Sequence, residues 1–318
     1  MNELPGIDLF MESWSLFADA VWAGVLAGMT LGILGVYIVL GRMVFLTAAL
    51  SQVAGLGVAS TFFLLSTAGG LFVWLTPGLG GLSCVLVCLM FALRFDEQDR
   101  AKRDAVLGIL FVGGSSGTRL IGGLIPQEMA DIQSLLFGSA VAILPEDLMV
   151  LAGVVAVVLV IQLAGWRGFV EMMYDPTSAQ VRQLPVDWLR LVLVGSLAVM
   201  VALTTRTLGA LPTFAFTILP AIFGIRLAAN APRAMLIAAL TGAVMGAVGY
   251  FLAFRYGFPV GASQTLVGLT LVLAGNSLAW LLERGRARTS DVTAPDGQTH
   301  PRHAHHGHAS SSSEQSQK

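Results

Sequence analysis

Residues 43–93 contain no Asp, Glu, Lys or Arg. One membrane-crossing helix needs roughly 20 apolar residues, because about 30 Å of hydrocarbon is crossed at about 1.5 Å per residue. A charge-free run of this length therefore accommodates two such helices. Charge is scarce elsewhere too: charged residues make up 12% of the 318, and hydrophobic residues 55%, whereas soluble domains carry about 25% charged residues. The mean hydropathy is +0.77. These values exclude a soluble core and predict an all-α polytopic membrane protein. The lipid bilayer is its first partner, and no nucleic-acid partner is expected.

The spans are also poor in chemistry. No histidine precedes His300, and the ionisable residues inside spans reduce to Asp19, near one end, and Arg119. Intramembrane proteolysis needs paired acids, a Ser and His pair, or a zinc site built on His-Glu-x-x-His, and the spans supply none of them. Carriers coupled to protons or sodium keep acids near the midplane, so their absence points to an energy source elsewhere. The chain lacks the Gly-x-x-x-x-Gly-Lys-Ser/Thr loop that cradles phosphates. The two cysteines, Cys84 and Cys88, lie one helical turn apart in an expected span. They read as small apolar packing residues. The first nineteen residues carry four acids and no basic residue, so no cleavable signal peptide is expected and the first span acts as its own insertion signal.

What remains is a succession of apolar segments. Besides the two spans in 43–93, candidates lie at 20–40, 105–125, 148–166, 191–205, 207–225, 234–254 and 262–282. The total is nine, or eight to nine because the two that flank Arg206 are the least secure. Lys and Arg near span ends are retained in the cytoplasm. An outside N-terminus and a cytoplasmic C-terminus leave only Arg206 and Arg255 near the outer face, with Arg119 in a span and every other basic residue inside. The outer face is then acidic through Glu3, Asp8, Glu12, Asp19, Glu128, Asp131, Glu146 and Asp147. That is what remains once orientation has removed the bases, and it also suits the steering of cations.

The 36 glycines include runs such as Gly78, Gly80 and Gly81, and Gly242, Gly246 and Gly249, which suit closely packed helices. Pro212 and Pro220 fall in one apolar segment, TLGALPTFAFTILPAIFGIRLA. Prolines in spans free backbone carbonyls, either as kinks or as pathway-lining breaks.

Six blocks in order carry a resemblance. GVYIVLGRMVFLTAALSQVAGLGVA resembles the second-helix region of ABC-type zinc/manganese/iron permeases, with its Arg-Met and Gly-Asp-Ala-Leu-Ser-His-Ala. DAVLGILFVGGSSGTRLIG, SLLFGSAVAILPEDL, MYDPTSAQVRQLPV, TLGALPTFAFTILPAIFGIRLA and YGFPVGASQTLV resemble the family's later blocks. The resemblance spans roughly residues 35–275. It implies a type II ABC importer-like permease in the bacterial inner membrane, working as a homodimer. The implied partners are a separate ATPase subunit and an extracytoplasmic metal-binding protein. No ATP binding, enzymatic activity or intrinsic cofactor is then expected of the chain itself, consistent with its lack of a phosphate-cradling loop. The implied cargo is a divalent metal ion, zinc first, with manganese or iron as alternatives.

By the same resemblance, the segment from Tyr174 to Leu184 is the coupling helix that rests on the ATPase, with Asp175 and Pro176 starting it and Ala179 giving close contact. An Asp before Pro is also an ordinary helix start. Ser51, Gln52, Pro212 and Pro220 are the candidate translocation-pathway residues. Departures from the family pattern bear on the cargo. Its Asp and His in the second helix are Ala48 and Gln52 here, and the Gly that ends its coupling element is Gln183. Transition metals prefer imidazole, carboxylate or thiolate ligands. A metal chelate or other small solute is therefore an alternative cargo, and a non-transporting regulatory or scaffold paralogue an alternative role.

The domain reading is a transmembrane permease domain over residues 1–284 and a cytoplasmic tail over 285–318. The tail is rich in Ser, Thr, Pro, Gly, Gln and His and is expected to be disordered. Its HPRHAHHGH segment holds His300, His303, His305, His306 and His308. These imidazoles are candidate zinc ligands, set against a plain solvated end.

Overall fold

The computed structural model describes residues 14–68, 76–93, 100–125 and 143–292. Over these residues the chain forms ten helices and no strand: α1 (Trp14–Leu40), α2 (Val44–Ala68), α3 (Pro77–Leu93), α4 (Arg100–Leu124), α5 (Pro145–Tyr174), α6 (Pro176–Val181), α7 (Val186–Leu208), α8 (Ala210–Leu227), α9 (Ala231–Tyr256) and α10 (Val260–Val292). Every expected span coincides with one helix, and α6 is the short element expected between spans. Seven helices are long and apolar enough to cross a membrane, namely α1, α2, α4, α5, α7, α8 and α9, and α3 is a shorter apolar helix. This is a multi-pass membrane protein.

Local sequence explains where several helices start and stop. Pro145 opens α5 with Glu146 and Asp147 in its first turn, where a fixed φ and negative charge both suit the positive end of the helix dipole. Asn230 caps α9 by accepting the Arg233 amide at 3.1 Å, and Gly257 ends it at φ 67°. Between α7 and α8 stands the single residue Gly209, at φ 101° and ψ 162°. Only glycine adopts that region without strain. It separates the two helices around Arg206 that the sequence left crowded.

The helices form one body over the described residues up to Leu278, and residues from Ala279 fall in a second compact unit. Backbone helix α10 runs on to Val292, past the expected tail boundary at Gly285. In the first unit α1 is the central helix, packed against α9, α8, α5 and α7. Its most apolar stretch is 67% buried, against 22% for those of α4 and α5. A second group forms where α2 packs on α3, α4, α7 and α8. Ile109, Val112 and Leu120 of α4, Val157, Val160 and Leu163 of α5, and Leu236 and Leu240 of α9 stay exposed. Such surfaces suit lipid, where no hydrophobic drive separates the inside from the outside.

Small residues set the contacts. A Cβ at Gly28 would lie 2.3 Å from the Gly242 carbonyl oxygen, and one at Gly246 would lie 2.5 Å from the Gly24 carbonyl carbon. The glycine run on α9 therefore packs against α1. A Cβ at Gly57 would meet the Gly80 carbonyl oxygen at 2.4 Å and Cys84 Cβ at 2.9 Å, which places Cys84 in the α2–α3 packing. Tyr37 and Phe169 meet edge to face, with centroids 5.7 Å apart.

Candidate functional site

The first candidate region is the middle of α2. Ser51 is buried and donates to the Ala48 carbonyl at 3.0 Å, Ala48 is buried, and Gln52 is half-buried. A Cβ at Gly114 would lie 2.8 Å from the Gln52 carbonyl carbon, so α4 approaches the α2 backbone there. Helices α2, α7 and α8 pack against one another and carry the buried hydroxyls of Thr47, Ser51, Thr204, Thr205, Thr213 and Thr217. Most bond back to their own helix: Thr204 to Met200, Thr213 to Gly209 and Thr217 to Thr213. Thr47 Oγ1 and Thr205 Oγ1 have no hydrogen-bond partner among the described residues. Sequence reasoning singled out Ser51 and missed the threonines, although the run Thr204–Thr205–Arg206–Thr207 inside an apolar segment was the available signal.

The two prolines differ. Pro212 stands in the first turn of α8, where its missing N–H is one of the groups a helix leaves unbonded anyway. Pro220 lies inside α8, is buried, and removes one bond of the ladder. A Cβ at Gly32 would lie 3.3 Å from Pro220 Cβ, so Pro220 faces α1. The fold therefore places Pro220 in the α1–α8 contact and Ser51 and Gln52 on α2.

The second candidate region is α6. The Asp175 side chain caps it, its Oδ1 accepting the amides of Thr177 at 3.1 Å and Ser178 at 3.2 Å. The Ser178 hydroxyl donates to Oδ2 at 2.5 Å. These bonds, that of the Ser178 side chain first, hold the Asp175 carboxyl below its ordinary 3.8. Pro176 takes the first helical position and Ala179 is fully buried. Arg182 reaches back to Glu171 of α5 at 3.1 Å. The Gln183 amide donates to Gln180 and that of Leu184 to Ala179, with Gln183 at φ 59°. This is the αL helix ending that usually falls to glycine. Gln183, which stands where the resembling family has glycine, keeps glycine's conformation. All three coupling candidates thus fall on one capped element, with Asp175 and Pro176 at its start and Ala179 inside.

The α1–α2 turn repeats this ending. Arg42 sits at φ 53°, with its amide donating to Val39 and that of Met43 to Ile38. The turn borders a cavity of about 420 Å³ whose walls include Arg42, Arg103, Arg190, Tyr174 and Pro176. A further, largely apolar cavity of about 410 Å³ lies between α1, α5 and α9 and is lined by Tyr37 and Gln162. The Tyr37 hydroxyl and both amide atoms of Gln162 are buried without a hydrogen-bond partner among the described residues. Neither residue was selected from the sequence, because one Gln or Tyr in an apolar run carries no spacing signal.

Among the described residues no three of His, Cys, Asp and Glu come together as a metal site. His300, His303, His305, His306 and His308 lie outside the described residues. So do the acids Glu3, Asp8, Glu12, Glu128 and Asp131. Asp147, at the start of α5, is paired with Arg206 of α7 at 3.1 Å.

Comparison with known proteins agrees with this arrangement. The manganese transport system membrane protein MntC of Halalkalibacterium halodurans is 26% identical over 81% of this chain and 86% of its own length. The high-affinity zinc uptake system membrane protein ZnuB of Haemophilus influenzae is 25% identical over 74% of this chain and 87% of its own. The fold is similar to that of a chain of PsaBC from Streptococcus pneumoniae in complex with Fab. The TM-score is 0.73 at 21% identity, covering 85% of this chain and 95% of the other. The ABC 3 transport family profile matches residues 13–278, which is the whole described bundle, and the chain belongs to that family.

Proposed function

We infer that the chain is the permease subunit of an ABC importer for divalent metal ions. Zinc is the first candidate cargo, with manganese or iron as alternatives. The carrying observation is the family match across the entire bundle. The names of MntC and ZnuB support a metal cargo and rank neither manganese nor zinc. A metal-binding protein delivers the ion outside, a separate ATPase supplies the energy, and two copies of the chain enclose the path across the bacterial inner membrane.

The N-terminus lies outside and the C-terminus in the cytoplasm. This reading is supported by the gathering of Arg42, Arg103 and Arg190 around one cavity beside α6, as basic retention requires. Asp175, Pro176 and Ala179 make α6 a rigid foot for the ATPase: the capped first turn fixes its direction, Ala179 is buried, and the helix packs on α5. Ser51, Gln52, Pro212 and Pro220 belong to the helices that flank the path. The tail's histidines act as a cytoplasmic zinc ligand set.

A second reading, transport of a metal chelate, is favoured by the α2 centre. Ala48 and Gln52 offer no carboxylate or imidazole to a bare cation. A solute that brings its own ligands needs only the hydroxyl and amide groups present.

Uptake by the chain reconstituted in liposomes with its ATPase and binding protein tests both readings. ATP-dependent entry of zinc or manganese is expected, with truncation after Gly285 reporting on the tail. Entry of chelate alone would replace the first reading with the second. An assembled, ATP-hydrolysing complex that moves neither would sink both.

A further inference from the structure

The cavity beside α6 draws guanidinium groups from three separate parts of the fold. Arg42 comes from the α1–α2 turn, Arg103 from the first turn of α4, and Arg190 from the first turn of α7. No Asp or Glu lines it among the described residues. Arg103 is only 5% exposed. Among the described residues its ion-pair partner is Asp104, whose Oδ1 stands 3.7 Å from Nε, too far for a hydrogen bond, and the Asp104 side chain is 54% exposed. A buried guanidinium left this weakly compensated is costly unless an anion shares the site. Arg42 reaches the wall from the αL residue that ends α1.

The remaining walls narrow the anion's identity. Leu40, Met43, Met172 and Val186 line the same cavity. A separate pocket of only about 10 Å³ shares Met43, Arg103 and Arg190 and is walled by Leu46, Leu93 and Val194. The site lies where α1 and α5 end and α2 and α7 begin, at the ends of helices long and apolar enough to cross a membrane. Three forked donors above apolar walls at that position match a phosphodiester carried on a lipid, and basic pockets between spans hold such headgroups. The geometry points to a binding site for the phosphate of an anionic phospholipid, beside the first residues of α6. An occupied site would tie the α1–α2 turn, α4 and α7 together under that element.

The test uses the full chain in a neutral detergent, read by native mass spectrometry and thermal melting. Phosphatidylglycerol, phosphatidylcholine and inorganic phosphate are added separately. Phosphatidylglycerol is expected to be retained and to raise the melting temperature, while phosphatidylcholine does neither. Arg42→Gln and Arg190→Gln each weaken retention by about fivefold, and the pair together removes the preference while leaving the lipid-free melting temperature unchanged. Arg103→Gln is the stronger variant but risks the fold, so the exposed Arg42 and half-buried Arg190 carry the decision.

Stabilisation by inorganic phosphate alone, at low concentration and with no gain from the lipid, keeps the phosphate chemistry and overturns the lipid source. Equal retention of the two lipids overturns the site, as does an undiminished phosphatidylglycerol preference in the double variant.

Discussion

Gly28 of α1 and Gly242 of α9 meet backbone to backbone. A Cβ on Gly28 would stand 2.3 Å from the Gly242 oxygen, and one on Gly242 would stand 2.1 Å from the Gly28 oxygen. Because both neighbours are main chain, neither can turn aside. Gly28→Ala must push the central helix off α9, and overpacking of this kind costs about 1–3 kcal/mol. Its melting temperature in detergent should fall well below that of Gly153→Ala, where nothing lies within 4 Å of the added carbon. Equal melting of the two variants would mean that α1 and α9 do not touch there.

Gln162 is 2% exposed, and neither of its amide atoms has a partner among the described residues. Leaving such groups unpaired costs about 1–3 kcal/mol. Gln162→Leu should therefore stabilise the bundle by up to that amount in denaturant or thermal unfolding. A destabilised variant would show instead that the amide is satisfied by something bound in the α1–α5–α9 cavity.

The α6 cap has a defined pH window. Hydrogen bonds from Ser178 and Thr177 hold the Asp175 carboxyl below its ordinary 3.8. A depressed folded-state value means that the stabilisation is complete above the unfolded value and is lost as pH falls through the lowered one. Amide exchange at Thr177 and Ser178, corrected for intrinsic rates, should show constant protection from pH 8 down to about 5 and loosen only in stronger acid. Asp175→Ala should expose both amides at every pH, while Asp175→Asn, still an acceptor, should keep them. In the reconstituted transporter the Ala variant should lose ATP-coupled uptake more than the Asn variant.

Gln183, at φ 59°, occupies a conformation that costs an ordinary residue about 1–2 kcal/mol. Gln183→Gly should relieve part of this. Protection of the Leu184 amide, which bonds Ala179, should rise or hold. Gln183→Val should lower it, since branching at Cβ makes the left-handed region worse.

Arg206 and Asp147 join α7 to α5 across 3.1 Å, but the two side chains keep 32% and 25% of their exposure. Pairs this open are worth about 0.2–1 kcal/mol. A double-mutant cycle with Arg206→Gln and Asp147→Asn should return a coupling in that range, reduced by salt. A much larger value would mean that the pair is sealed from water.

The sequence alone determined that the chain lies in a membrane and roughly where its apolar helices run. Apolar length and the pairing of Asp175 with Pro176 are local signals, read within a turn or two of the residues that carry them. The element around α6 was legible through the family resemblance together with its local Asp-Pro start, while the αL ending at Gln183 came from the structure.

Which face of each helix is inside was decided by the tertiary structure. A span is apolar all round and carries no stripe to mark its buried side. Pro220 turned toward α1, Gly28 set against Gly242, Gln162 left unpaired in a cavity, and three arginines from distant segments brought to one pocket all depend on how helices cross. That crossing is set by close contacts between small residues far apart in the chain, and no period in the sequence records it.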